Sequence, residues 1–176
     1  MTVTVEAVHE TREEVARHVP HRKLVIMAWS GDLDRIWPTL ILGTTGAAMG
    51  METTVFFTFW GLFPLVKDDV RITGDNWMQK LLSTMDRPGL EHVKLGKMNF
   101  AGAGPAMMRK LAKKHHVASP EELIALAKDL GVKLVPCQMT MDLLGLHRDD
   151  LIDGLEEPAG ATTALLEAQN AISLFI

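Results

Sequence analysis

Apolar runs and amphipathic stretches alternate along the chain from residue 23 onward. Continuous apolar runs are typical of strands buried on both faces of a sheet, and amphipathic stretches are typical of surface helices. Strands are predicted over 23–29, 53–60, 132–136 and 172–176. Helices are predicted over 33–50, 76–85, 106–115, 120–130, 138–144 and 158–170. This alternation indicates an α/β fold with a mostly parallel sheet of about five strands between layers of helices.

Helix punctuation supports this reading in two places. Ser119 is a good N-cap, Pro120 suits the first helical position, and Glu122 completes a capping box three residues after the cap. Cys137 directly follows the predicted strand 132–136 and directly precedes the predicted helix 138–144. The cysteine is therefore expected at the carboxyl end of a strand and at the start of a helix.

The length of 176 residues fits one domain. Residues 1–22 are polar and predict an N-terminal arm, followed by a single α/β domain over residues 23–176. Between Arg35 and Lys67 the only charged residue is Glu52, but neither half of this stretch reaches the ~20 apolar residues of a spanning helix. We therefore expect no membrane insertion.

The charge balance and the cysteine count narrow the function classes. A net charge of −4 is unlike the basic surfaces of nucleic-acid binders. The chain has one cysteine, so it forms no internal disulfide and no two-thiol motif. A free thiol, together with an N-terminal segment that does not read as a secretory signal, favours a cytoplasmic location.

The position of Cys137 suggests chemistry at its thiol. Ligands of open α/β sheets gather at the carboxyl ends of strands, and a helix N-terminus favours an anion such as a thiolate. Backbone N–H groups at the helix start are expected to hold such an anion. The opposite interpretation, that Cys137 is a small buried hydrophobic residue, stays open on position alone.

Five segments in order resemble the DsrE/DsrF-like family of sulfur-trafficking proteins, particularly its soluble branch often labelled peroxiredoxin-like. The segments are Ser30-Gly31-Asp32-Leu33-Asp34, Phe56-Phe57-Thr58-Phe59-Trp60-Gly61-Leu62, Lys97-Met98-Asn99-Phe100-Ala101-Gly102, Pro120-Glu121-Glu122-Leu123 and Cys137-Gln138-Met139-Thr140-Met141-Asp142. The resemblance implies a flavodoxin-like three-layer sandwich that forms homo-oligomers, often trimers or hexamers.

The same resemblance implies a role for the single thiol. Family members carry sulfane sulfur as a cysteine persulfide and pass it between partner proteins, and Cys137 matches the sulfur acceptor. We predict a sulfur carrier or sulfurtransferase that holds a persulfide or a thiosulfonate and exchanges it with donor and acceptor proteins. The residues predicted to bind around the cysteine are Gln138, Ser30, Gly31, Trp60, Lys97 and Asn99. A thiol peroxidase and a non-catalytic assembly subunit remain alternatives.

No cofactor and no metal site are predicted. Met139 and Met141 near Cys137 would suit Cu(I), but methionine is more often adaptable core filler. The pairs His18/His21 and His115/His116 lack the further ligands of a closed site. The basic residues Arg109, Lys110, Lys113 and Lys114 are either a solvated helix face or a docking patch for an acidic carrier protein.

Overall fold

A computed structural model describes residues 23–70, 88–97 and 99–176 of the chain. The predicted arm 1–22 and the predicted helix 76–85 lie outside the described residues. The strands are β1 (Lys23–Ala28), β2 (Glu52–Phe57), β3 (Lys133–Pro136) and β4 (Ile172–Phe175). The helices are α1 (Leu33–Ala48), α2 (Ala103–Lys114), α3 (Pro120–Asp129), α4 (Gln138–Leu144) and α5 (Ala161–Glu167).

The described strands form one parallel sheet in the order β3-β2-β1-β4. The chain places β2 and β3 on one side of β1 and then returns to place β4 on the other side. The prediction of a parallel sheet flanked by helices is confirmed. The predicted count of about five strands differs by one, because the described residues contain four.

A short segment after α4 extends the sheet beyond β3 without forming a regular strand. The N–H of Glu156 donates to the carbonyl of Leu134 at 3.0 Å, and the N–H of Ala159 donates to the carbonyl of Pro136 at 3.0 Å. The two donors are three residues apart in this segment, whereas the two acceptors are two residues apart in β3, so the regular pairing is interrupted. In addition, Pro158 has no N–H to donate. The segment consequently forms a single β-bridge, between Cys137 and Ala159.

The larger hydrophobic core covers one face of the sheet. Alternate residues of β1 and β2, including Ile26 and Phe57, pack there against α1 and α3, as the two-residue period of a strand requires. The smaller cluster lies on the other face and is formed by Phe56, Val135, Cys137 and Ala164. Cys137 therefore faces away from the main core.

The capping box predicted before α3 is confirmed. The N–H of Glu122 donates to the hydroxyl of Ser119 at 3.2 Å, and the N–H of Ser119 donates to the carboxylate of Glu122 at 2.7 Å. The helix predicted over 106–115 begins earlier, at Ala103, and the one predicted over 158–170 shortens to Ala161–Glu167. None of the helices in the described residues is both long enough and apolar enough to span a membrane.

Two predictions about strands are wrong in detail. The strand predicted to reach Trp60 ends at Phe57, because Phe59 has a φ of 48° and begins a 3-10 helix over Phe59–Leu65. The last strand was predicted to be buried, yet Ile172 is 41% exposed and Phe175 is 72% exposed. Its position at the edge of the sheet leaves these side chains substantially exposed.

Candidate functional site

The carboxyl ends of β1, β2 and β3 bring three segments of the candidate site to one edge of the sheet. They are the turn Ser30-Gly31-Asp32, the segment Thr58–Gly61 and Cys137 with α4. The predicted location of Cys137 is confirmed, because β3 ends at Pro136 and α4 begins at Gln138. The parallel arrangement of strands produces this convergence, since all their carboxyl ends point to the same edge.

The backbone around Cys137 is held from both sides. Its N–H donates to the carbonyl of Phe57 at 2.9 Å, and the N–H of Gln138 donates to the carbonyl of Ala159 at 3.0 Å. The N–H of Gln138, expected to help hold an anion, is thus already bonded to the protein. The first turn of α4 therefore offers less to a bound sulfur anion than the sequence suggested.

The side chain of Cys137 is buried, with 3% of its surface exposed. It packs against Phe56, Val135 and Ala164 on the smaller face of the sheet. Ala164 is the buried residue of α5, a helix whose other side chains are largely exposed. Of the described residues outside the sheet, those that cover the thiol consequently lie on one short helix and on the segment that carries Ala159.

Thr140 connects α4 to the end of β2. Its hydroxyl accepts from the N–H of Phe59 at 3.0 Å and lies 3.3 Å from the hydroxyl of Thr58. Phe59 holds a φ of 48°, which is unfavourable for a residue with a side chain. The buried hydroxyl of Thr140 thus helps fix the backbone beside the cysteine, a role that sequence reasoning missed. The clue available in the sequence was a threonine three residues after Cys137, within the predicted helix 138–144.

Ser30, Gly31 and Trp60 are brought together in a cavity of about 210 Å³ at the ends of β1 and β2. The hydroxyl of Ser30 donates to the carboxylate of Asp32 at 3.1 Å and accepts from the N–H of the same residue at 3.2 Å. Trp60 packs edge-on against Phe63, with ring centroids 5.4 Å apart. Three of the six predicted binding residues therefore share one cavity.

The other three predicted binding residues are dispersed. Asn99 lines a neighbouring cavity of about 430 Å³, and its side-chain oxygen accepts from the N–H of Leu95 at 3.4 Å. Gln138 is exposed and donates to the carboxylate of Asp142 at 2.7 Å. Lys97 is exposed and is not among the described lining residues of either cavity. Cys137 is likewise absent from both linings, so the structure does not bring the thiol and these residues into one pocket.

The pKa values of Glu52 and Lys133 are shifted from their usual values. These are the first residues of β2 and β3, so they lie at the opposite edge of the sheet from Cys137. The ammonium of Lys133 lies 2.7 Å from the carboxylate of Glu52, and that of Lys23 lies 3.5 Å from it. The hydrogen bond and positive charge of Lys133 lower the pKa of Glu52. The hydrogen bond from Lys133 to Glu52 in turn raises the pKa of the lysine.

In the described ranges, no group of three His, Cys, Asp or Glu side chains is placed to hold a metal ion. His115 and His116 are exposed there, and His18 and His21 lie outside the described residues. Met139 is exposed and Met141 is buried in the main core, so the two thioethers lie in different environments.

Comparison with known proteins assigns the chain to a family. A sequence model of the DsrE/DsrF/DrsH-like family matches residues 20–175. The chain belongs to this family. It is 38% identical over 156 residues to a Bacillus subtilis (strain 168) protein named "Uncharacterized protein YrkE", covering 88% of this chain and 97% of the relative. It is 37% identical over 158 residues to the "Sulfur carrier protein DsrE2" of Allochromatium vinosum, covering 88% and 98% of the two chains.

Family membership confirms the resemblance drawn from the five sequence segments. The match extends over nearly all of the predicted domain and includes the turn after β1, the end of β2 and the cysteine after β3. A relative named as a sulfur carrier places the family in sulfur trafficking.

Proposed function

We propose that the chain is a cytoplasmic sulfur carrier that accepts sulfane sulfur on Cys137 and passes it to a partner protein. The single observation that carries the proposal is the placement of the chain's one cysteine between β3 and α4 at the carboxyl edge of the sheet. The 37% identity to a protein named as a sulfur carrier supports it.

The proposed chemistry is thiol exchange. The Cys137 thiolate attacks the outer sulfur of a donor persulfide, R–S–SH. The donor's S–S bond breaks, a new S–S bond forms on Cys137, and the donor leaves as its thiolate. One sulfur atom moves, and no external oxidant or reductant is needed. A thiol of the acceptor protein then attacks the outer sulfur on Cys137, which regenerates the cysteine thiolate.

One thiol in the chain determines how the sulfur leaves. An internal relay would need a second cysteine, and the sequence has none. The sulfur must therefore pass to another protein or to another copy of this chain. This is the property that separates a carrier from an enzyme that completes its cycle alone, and it implies donor and acceptor partners.

Burial of the thiol sets a condition on this function. With 3% of Cys137 exposed, a donor sulfur cannot reach Sγ unless the cover formed by α5 and the Ala159 segment moves. Sulfur transfer is thus expected to be slower than the reaction of an exposed thiol, and to accelerate when a partner displaces α5.

The test is persulfide loading followed by intact-protein mass spectrometry. The wild-type chain should gain one sulfur atom, and an added thiol should remove it. The variants Cys137→Ser, which is nearly isosteric, and Cys137→Ala should gain none, while Ser173→Ala is a control that keeps the thiol. A thiosulfonate would need a donor with a sulfonate sulfur, such as tetrathionate, which releases thiosulfate, and its larger mass distinguishes it from the persulfide. No adduct on the wild type, or an equal adduct on Cys137→Ser, contradicts the proposal.

The burial of Cys137 also favours a second candidate, a non-catalytic assembly subunit in which the thiol is only packing. This candidate expects a folded chain whose thiol stays unreactive toward an aromatic disulfide reagent until the chain is unfolded. Reaction of the native thiol would support the carrier instead. The third possibility, a thiol peroxidase, is tested by peroxide consumption with an added thiol as reductant.

A further inference from the structure

We propose that the cavity of about 430 Å³ at the start of α2 binds an oxyanion of the phosphate or sulfate type, carried by a small molecule. The described residues that line it include Arg109, Lys94, His92 and Asn99, and none of them is acidic. Two of these side chains carry a positive charge at neutral pH, and all four have N–H donors. A cavity of this size falls in the lower part of the range typical of small-molecule sites.

Arg109 makes one hydrogen bond and one longer ion pair. Its Nη2 donates to the carbonyl of Leu90 at 2.5 Å, which fixes the guanidinium at the wall of the cavity. Its Nη1 lies 3.9 Å from the carboxylate of Glu121, too far for a hydrogen bond. The guanidinium has five N–H donors, so most remain for a ligand.

The Nε of Arg109 is the third nitrogen of the guanidinium. It is buried and has no hydrogen-bond partner among the described residues. A buried donor without an acceptor is costly, and native proteins usually provide a partner. Because Nε has almost no exposed surface, a ligand in the cavity would meet the terminal N–H groups of the guanidinium instead. Planar guanidinium groups bind phosphate and sulfate oxygens particularly well because two N–H groups match two oxygens.

The backbone at the start of α2 contributes little to the proposed site. The N–H groups of Gly102 and Gly104 donate to the carbonyl of Asn99, and that of Ala103 donates to the carbonyl of Phe100. The next residue is Pro105, which has no N–H. Recognition therefore depends on the side chains, and above all on Arg109.

The apolar part of the lining indicates that the oxyanion is attached to a small organic body. Val93, Pro105 and Ala106 contribute apolar surface beside the charged groups. The cavity also shares His92, Val93 and Lys94 with the smaller cavity that contains Ser30, Gly31 and Trp60. A bound molecule would consequently lie next to the ends of β1 and β2.

Isothermal titration calorimetry at low salt tests the site with two kinds of probe. Inorganic phosphate, sulfate and thiosulfate represent the free ions, and a sugar phosphate represents an organic ester. We expect binding of both kinds, with the ester tighter. Arg109→Gln should weaken binding about 10-fold or more, as expected for losing hydrogen bonds to a charged group. Lys113→Gln, an exposed charge on the same helix, should leave binding unchanged.

Further variants keep the test valid if Arg109→Gln disturbs the fold, which circular dichroism would show. Arg109→Lys keeps the charge but loses the paired donors, and should give intermediate affinity. Lys94→Gln removes a lining charge without touching the bond to Leu90, and should also weaken binding. The proposal is overturned if no probe binds at millimolar concentration, or if the cavity variants bind as the wild type does. Cys137→Ala should bind normally, so failure of the sulfur-carrier proposal is distinguishable from failure of this one.

Discussion

Two glycines allow the segments after β1 and β2 to lie closer together than any side chain would permit. A Cβ on Gly31 would lie 2.4 Å from the carbonyl oxygen of Trp60, and a Cβ on Gly61 would lie 2.2 Å from the carbonyl oxygen of Ala28. The N–H of Gly61 also donates to the carbonyl of Trp29 at 3.1 Å. Both glycines are therefore required by close backbone contact at the candidate site, since neither has a positive φ.

The close contact at Gly61 predicts a large effect of a single methyl group. Gly61→Ala should destabilise the fold by about 1–3 kcal/mol or more, the usual cost of forcing extra atoms into packed structure. Because the obstacle is backbone, it cannot move aside as a flexible side chain would. Urea unfolding measures the change.

Gly160→Ala is the matched control for Gly61→Ala. A Cβ at Gly160 meets no atom within 4 Å, and its φ of −92° suits alanine. Its cost should not exceed about 1 kcal/mol, arising from the weaker N-cap of α5. Equal losses of stability in the two variants would contradict the close-contact explanation.

The position of Cys137 in the fold could be predicted from the sequence, but the residues that surround it could not. Its place between a strand and a helix could be predicted because adjacent residues determine it. Its burial under Ala164 depends on a helix that begins 24 residues later, at Ala161. The six predicted binding residues were chosen from matched segments, and only the tertiary structure shows that three of them share a cavity.

Elements whose limits are set locally were predicted well, and those set by distant contacts were not. The helix α3 carries its own capping box and Pro120, so the four residues 119–122 were enough to predict where it begins. The end of β2 could not be predicted from local residues, because the positive φ of Phe59 is supported by the hydroxyl of Thr140, 81 residues away. The exposure of β4 depends on its place at the edge of the sheet, which no local pattern encodes.

The first residues of the three neighbouring strands form an ionic cluster that joins them. Glu52 of β2 lies between Lys23 of β1 and Lys133 of β3, and Lys23 also lies 3.7 Å from Glu167 of α5. These groups are partly exposed, so each pair contributes modestly and is weakened by salt. The cluster nevertheless connects elements that are distant in sequence.

The pKa shifts of Glu52 and Lys133 predict how pH affects this cluster. The folded pKa of Glu52 is lowered from 4.5, so its contribution is complete above that pH and is lost as the pH falls through the folded pKa. The folded pKa of Lys133 is raised from 10.5, so its contribution is present below that pH and is lost as the pH rises through the folded pKa. The pair therefore stabilises the fold between these limits.

The variant Glu52→Gln tests the pH dependence. Its thermal midpoint should lie below that of the wild type at neutral pH, and the two curves should converge both in acid and in strong alkali. Glu157→Gln, at an exposed carboxylate with no ion pair among the described residues, should follow the wild type throughout. A constant difference across the pH range would show that the loss does not come from ionisation.

Exposed apolar side chains across the molecule suggest that the chain associates with copies of itself. Trp29 and Phe175 stack with ring centroids 6.3 Å apart, yet both are substantially exposed. Leu165 and Leu166 of α5, the helix before β4, are also exposed. Large exposed apolar surfaces at an edge strand are typical of interaction sites. We therefore predict that the homo-oligomer implied by the family resemblance forms at this edge.

Phe175→Asp tests the association at this edge. Light scattering coupled to size-exclusion chromatography should show an oligomer for the wild type and smaller species for the variant, because a carboxylate there cannot be buried without a partner. Met49→Asp, at an exposed methionine beyond the end of α1, should keep the wild-type mass. A monomeric wild type, or an unchanged Phe175→Asp oligomer, would contradict an interface at β4. If the interface also covers α5, separating the copies should change how fast Cys137 accepts sulfur, and the same variant then links assembly to transfer.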